Sequence, residues 1–178
     1  VGLWATGPLG GVVSQIDRTE SVKSEGKYRL LGVRLEGKGT LHRETVSGTE
    51  TSASRLNRVE AGDFIYSRLF AWRGAFGTIS TELEGAFVSN EFPLFRVNAG
   101  RLDLKFLTWG FRLPATWRRV EEDCSGGTPT TRNRCKEAFF LKLKIPLLSL
   151  PEQRAIVAKL DALSDTTAQP KSSEARRV

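Results

Sequence analysis

Methionine is missing from all 178 residues, position 1 included, and the chain holds only two cysteines and one histidine. A chain that opens on Val1 reads as a fragment, or as a translation from a GUG codon. With Cys124, Cys135 and His42 as the whole supply, no four-ligand zinc set of these residue types can be assembled, so no metal site is expected. Long apolar runs are also missing, which excludes a membrane-spanning helix. Residues 1–13 carry neither a basic n-region nor a small-residue cleavage site, so export is not expected.

What is present is positive charge and moderate apolarity. Lys and Arg number 27 against 20 Asp and Glu, a formal charge of +7 that favours polyanionic partners, nucleic acid before anionic membrane. At 39% apolar residues the chain can bury the core of one domain. Short β-like runs at 28–35, 63–69, 86–89, 94–97 and 139–145 alternate with Gly and polar clusters, which predicts a curled mixed sheet. Helical spacing appears at 102–110 and again at 151–163. The fold class expected is α+β, weighted to β. Residues 1–26 lack a clear period and read as a weakly ordered lead-in. Residues 164–178 read as a disordered tail.

Three segments carry candidate binding chemistry. Residues 32–39 match the glycine and lysine spacing of a phosphate loop, but Gly39 stands where the Ser or Thr for magnesium belongs, so nucleotide binding is not expected. The overlapping stretch 37–43 reads as a flexible turn, offering backbone N–H groups with Lys38, His42 and Arg43 to a phosphate, or as an ordinary solvated turn. Residues 54–77 interleave arginines, Arg55, Arg58 and Arg73 among them, with Phe64, Tyr66, Phe70 and Phe76. The rings are expected in the core and the arginines on phosphates. Residues 125–136 place Thr130, Thr131, Arg132, Asn133, Arg134 and Lys136 on a short Gly-Thr-rich segment, groups that suit base edges and phosphates and equally suit a plain polar hairpin.

The closing segment begins with Pro146 and Leu147, where an apolar strand ends. Pro151 fits a first helical turn and Glu152 lies near its positive end. Ile156, Val157, Leu160 and Leu163 then form an apolar stripe that serves either its own domain or a partner. Nothing resembles a nucleophile elbow or an adenine-methyltransferase motif, and His42 has no partnered nucleophile, so catalysis is not expected.

Pro-Leu-x-x-Leu-x-Glu-Gln-Arg-x-Ile-Val-x-Lys-Leu-Asp at 146–161 resembles the close of a target recognition domain in specificity (S) subunits of type I restriction-modification systems. Gly-Asp-Phe-Ile-Tyr at 62–66, Gly-Ala-Phe-Gly at 74–77 and Val-Ser-Asn-Glu-Phe-Pro at 88–93 resemble the same family in the same order. The resemblance covers about residues 27–163. It implies a recognition domain over 27–150 and the start of a coiled-coil spacer helix over 151–163. It implies a non-catalytic module that reads double-stranded DNA and docks a methyltransferase subunit, with a restriction subunit or a second S chain as further partners. S-adenosylmethionine would sit on the methyltransferase, and this chain would bind no cofactor itself. An adaptor that binds such subunits without reading DNA, or a piece of a fused restriction-methylation enzyme, fits the same resemblance. A bacterial or archaeal cytoplasm follows from the family, and with it an expectation that Cys124 and Cys135 are free thiols, although they flank the 125–134 segment closely enough to pair.

Overall fold

A computed structural model describes residues 4–124 and 134–168. Its elements are β1 (Thr6–Pro8), β2 (Val13–Ile16), β3 (Thr19–Ser21), β4 (Lys27–Val33), β5 (Thr40–Ser47), β6 (Arg55–Arg58), β7 (Phe64–Tyr66), β8 (Phe76–Thr78), β9 (Phe87–Val88) and β10 (Leu94–Val97). The helices α1 (Leu104–Arg112), α2 (Pro114–Cys124) and α3 (Glu137–Phe140) follow, then β11 (Lys144–Pro146) and α4 (Leu150–Ala168).

The strands form two sheets and a ribbon rather than one curled sheet. One sheet has the order β3-β6-β9-β4-β5 and the other β2-β10-β7-β8, while β1 pairs with β11. Only β4 and β9 run parallel, which makes the larger sheet mixed. The middle layer follows from alternation along β7, where successive side chains point to opposite faces. Phe64 and Tyr66 enter one core with Phe76, Phe95, Phe111 and Phe140, and Ile65 enters another with Leu31, Val88 and Leu94. All three β7 residues are therefore fully buried. The first core lies on the helical side: Tyr66 and Phe140 have ring centroids 4.6 Å apart, and Phe76 and Phe111 4.4 Å, in tilted geometries that favour aromatic pairs.

Several sequence expectations change here. Leu9, Val12 and Val13 are buried in the ring core and residues 6–21 form strands, so the lead-in is part of the domain. The run at 139–145 is not one strand: α3 takes its first residues and β11 its last. Helix α2, not anticipated, starts on Pro114 and buries Val120. Helix α4 continues past Leu163 to Ala168, into the stretch read as a tail. Cys135 is disulfide-bonded and buried, which overturns the free-thiol expectation.

The closing motif has a local structural cause for Ser149, Glu152 and Gln153. Ser149 and Glu152 form a capping box: the Glu152 carboxylate accepts from Ser149 N at 2.9 Å and from its hydroxyl at 2.6 Å. Gln153 is buried and joins three segments. Its Oε1 accepts from Asp103 N at 2.8 Å, and its Nε2 donates to Arg101 O and Leu148 O, each at 2.9 Å. Asp103 in turn caps α1 by accepting from Lys105 N and Phe106 N. Replacing Gln153 with Leu leaves buried backbone groups unpaired and is expected to lower unfolding free energy by about 3 kcal/mol, against about 1 kcal/mol for Glu152→Ala, in urea titrations.

Candidate nucleic-acid interface

The turn between β4 and β5 is held by its neighbours through the backbone. Glu36 N donates to Arg73 O at 2.9 Å and Gly37 N to Gly74 O at 2.8 Å, while Lys38 N donates to Leu35 O at 3.2 Å. Two of these amides, on Gly37 and Lys38, belong to the 37–43 turn expected to offer N–H groups to a phosphate, and both are engaged within the chain. Close approach explains two glycines. A Cβ on Gly37 would stand 2.8 Å from Arg112 Cα, and one on Gly74 2.3 Å from the Trp117 ring, and both residues have positive φ.

This packing brings Lys38 and Arg73 to one place and adds Arg34 and Arg112, which the sequence reading had not singled out. All four are exposed. Arg112 stacks over Trp109 at 4.7 Å and Arg73 over Trp72 at 5.8 Å. The acid at this junction is Glu36, paired with Lys38 at 2.8 Å. The Lys38 hydrogen bond and charge, with a smaller pull from Arg73, hold the Glu36 carboxyl below the usual range.

The remaining candidates divide. His42 and Arg43 lie in strand β5, not in a turn; the register shift opposite Leu30 and Leu31 makes Arg43 the bulged residue. His42 Nε2 lies 3.0 Å from the Thr45 hydroxyl, and Arg43 pairs with Glu44. Arg55 and Arg58 are on β6, where Arg58 pairs with Glu20 at 2.7 Å and covers Phe87. Thr130, Thr131, Arg132 and Asn133 lie outside the described residues. Arg134 is exposed and pairs with Glu91, and Lys136 is exposed just before α3.

The segment joining β7 to β8 links these groups. At its start Arg68 O accepts from Cys135 N at 2.9 Å and the Arg68 guanidinium pairs with Glu137; at its end Arg73 and Gly74 hold the 36–37 amides. Tyr66 OH donates to Cys135 O at 3.0 Å, and burial pushes its phenol far above the usual range. Between the two anchors Phe70 is 44% and Trp72 37% exposed, so Phe70 is not the core ring expected of it, unlike Phe64, Tyr66 and Phe76.

Buried Asp63 explains the Gly-Asp-Phe motif. Its carboxylate accepts from Arg18 Nη1 and Arg96 Nε, each at 2.7 Å, and from Glu60 N at 2.8 Å. Glu60 bridges the same two arginines at 3.0 and 3.1 Å. These cations are structural, a division of labour among arginines that the sequence pattern could not express.

The apolar stripe of α4 is also divided. Val157 is buried in its own domain and is not available to a partner. Ile156 and Leu160 line a groove of ≈ 390 Å³ with Trp4, Phe106 and Trp109, and Leu163 is 65% exposed.

No family model and no curated protein matches this sequence. Solved structures do match. The HsdS subunit from Thermoanaerobacter tengcongensis superposes with a TM-score of 0.72 at 20% identity, over 92% of this chain and 42% of its own. The chain has the fold of one part of a type I specificity subunit. A chain from a structure described as the basis of complex assembly and conformational transition of the type I R-M system matches with a TM-score of 0.73 at 21% identity, over 92% and 42%. The type I restriction-modification S subunit from M. genitalium gives 0.57 at 16% identity, over 92% and 39%. The chain thus spans 39–42% of the length of these structures. The likeness extends before residue 27, consistent with β1 to β3 belonging to the domain. Among the described residues no helix is long and apolar enough to cross a membrane.

The Arg68–Glu137 pair that fixes the 134–137 segment sets an acid limit. Burial pushes the Glu137 carboxyl up, but the Arg68 hydrogen bond and charge outweigh it and the net shift is downward. A depressed carboxyl contributes stability that is present above its unfolded value and lost as pH falls through the folded one. Thermal midpoints followed from about pH 6 to pH 3 are expected to fall on acidification, with a flatter acid limb in Glu137→Gln.

Proposed function

We propose that this chain is a DNA-reading module of a type I restriction-modification specificity subunit, without catalytic chemistry of its own. The observation that carries the reading is the joining, on this fold, of an exposed cationic junction at Lys38, Arg73 and Arg112 to the anchored segment bearing Arg134 and Lys136. Phosphate contacts from the first group would set affinity and salt dependence, and the adjoining 125–136 segment would read base edges in double-stranded DNA. His42, Arg43 and Arg55, exposed on the larger sheet, would add peripheral phosphate contacts. Arg58 contributes less, because its guanidinium is held both by Glu20 and over the Phe87 ring.

The methyltransferase subunit is the proposed partner at the outer side of α4, because Ile156, Leu160 and Leu163 remain wholly or partly uncovered there. Helix α4 would be the root of the spacer that sets the distance to a second recognition domain or second S chain. A restriction subunit would join through the methyltransferase, S-adenosylmethionine would bind there, and the complex would work in the cytoplasm. An adaptor that never touches DNA is the second reading, favoured by the same uncovered groove.

Binding-site selection on random duplexes decides between the two. Arg132→Ala is expected to relax one base position by about 1–3 kcal/mol, whereas Lys38→Ala weakens all sequences alike. If no salt-dependent duplex binding is seen while Leu160→Asp abolishes co-purification with the cognate methyltransferase, the adaptor reading stands.

A further inference from the structure

The segment between β7 and β8 presents two large aromatic side chains to solvent in the middle of a basic surface, although the folding core has ample rings without them. Phe70 and Trp72 are 44% and 37% exposed, while the neighbouring Ala71 and Ala75 are fully buried and pin the backbone. Trp72 is also fixed in orientation, since its Nε1 donates to Leu69 O at 3.0 Å. An indole whose polar edge is satisfied internally offers its remaining surface as a preset apolar plate, and ordering it on binding costs little entropy.

The surroundings select the occupant. On one side lie Arg73, Lys38 and Arg112, and among the described residues no carboxylate pairs with Arg73 or Arg112. On the other side Arg68 holds the backbone of Cys135, flanked by Arg134 and Lys136. A protein partner anchored by aromatics would meet a rim in which Lys38, Arg68 and Arg134 are paired with Glu36, Glu137 and Glu91 while Arg73, Arg112 and Lys136 add further positive charge. A nucleic-acid duplex offers rows of phosphates separated by a groove with apolar sugar edges, which matches cations flanking a rigid aromatic.

We propose that the β7–β8 segment is a DNA-contact element distinct from the 125–136 segment, with Trp72 and Phe70 against sugar and base edges of the groove beside the phosphate contacts of Lys38, Arg73 and Arg112. This rests on the DNA-reading function proposed above and assigns to it residues that lie in no candidate base-reading loop. Arg112 stacks on Trp109 at the end of α1, and the close approach of Gly37 places Lys38 beside it.

The test uses the whole chain with its cognate methyltransferase. Affinity for duplex DNA is measured against salt for wild type, Trp72→Ala, Arg112→Gln, Arg112→Lys and Lys27→Gln, the last an exposed control at the end of β4 opposite the β4–β5 turn. Arg112→Gln is expected to reduce the slope of log K against log salt by about 0.9, with Arg112→Lys retaining it. Trp72→Ala is expected to weaken binding about tenfold at every salt with the slope unchanged. Thermal midpoints equal to wild type for both variants exclude misfolding, and Trp72→Phe should remove part of the tryptophan fluorescence change on adding duplex. Salt-dependent binding by wild type with Trp72→Ala and Arg112→Gln indistinguishable from Lys27→Gln would overturn the inference while leaving the DNA-reading function intact. Absence of duplex binding by wild type would overturn that function itself. Loss of methyltransferase association in Trp72→Ala, with DNA affinity kept, would reassign the aromatic pair to a protein contact.

Discussion

The buried Asp63 carboxylate is the constraint around which the two sheets are arranged. A charge with no exposed surface is tolerated only where it is paired and hydrogen-bonded, and here Arg18, Arg96 and the Glu60 amide supply both. Arg18 comes from the link between β2 and β3, one strand in each sheet, and Arg96 from β10 in the smaller sheet. Asp63 itself closes the turn that carries the chain from β6 in one sheet to β7 in the other. Directly after it, Phe64, Ile65 and Tyr66 alternate between the two cores. The carboxylate therefore fixes the register in which β7 becomes the middle of the domain.

The candidate interface depends on that middle strand. Tyr66 ends β7 and donates to Cys135 O, and the residues that follow hold Cys135 N at one end and the Glu36 and Gly37 amides at the other. A single segment thus spaces the cations of the β4–β5 turn from those around residue 134. Because its ends are tied into the ring core, its aromatics are presented on a fixed frame, the condition under which a surface can recognise a partner at small entropic cost. The positive charge of the chain is not spread evenly over function: Arg18, Arg58, Arg68 and Arg96 are committed to carboxylates within the fold.

Much of the fold was legible. Strand β10 falls on the β-like run expected at 94–97, and α1 and α4 lie close to where apolar spacing places them. The misses have physical causes. Strand β5 is exposed along most of its length and carries no alternation of burial to read. The strands before residue 21 are three or four residues long and gain their stability from partners distant in sequence, such as β1 from β11. Helix α2 had a readable start in Pro114 and an apolar pair in Trp117 and Val120. The charged residues at 118, 119 and 121–123 on either side of Val120 mask the period.

By itself, the sequence determined the class, the positive charge, the motif order and the capping of α4, because each is a matter of composition or of neighbours within a few residues. Only the tertiary structure decided which arginines are spent on buried carboxylates and which face solvent. It likewise decided that Val157 belongs to the domain while Leu163 does not, and that Phe70 and Trp72 are displayed rather than buried. Those outcomes depend on which distant segments meet, and spacing along the chain carries no record of the surface that their meeting leaves uncovered.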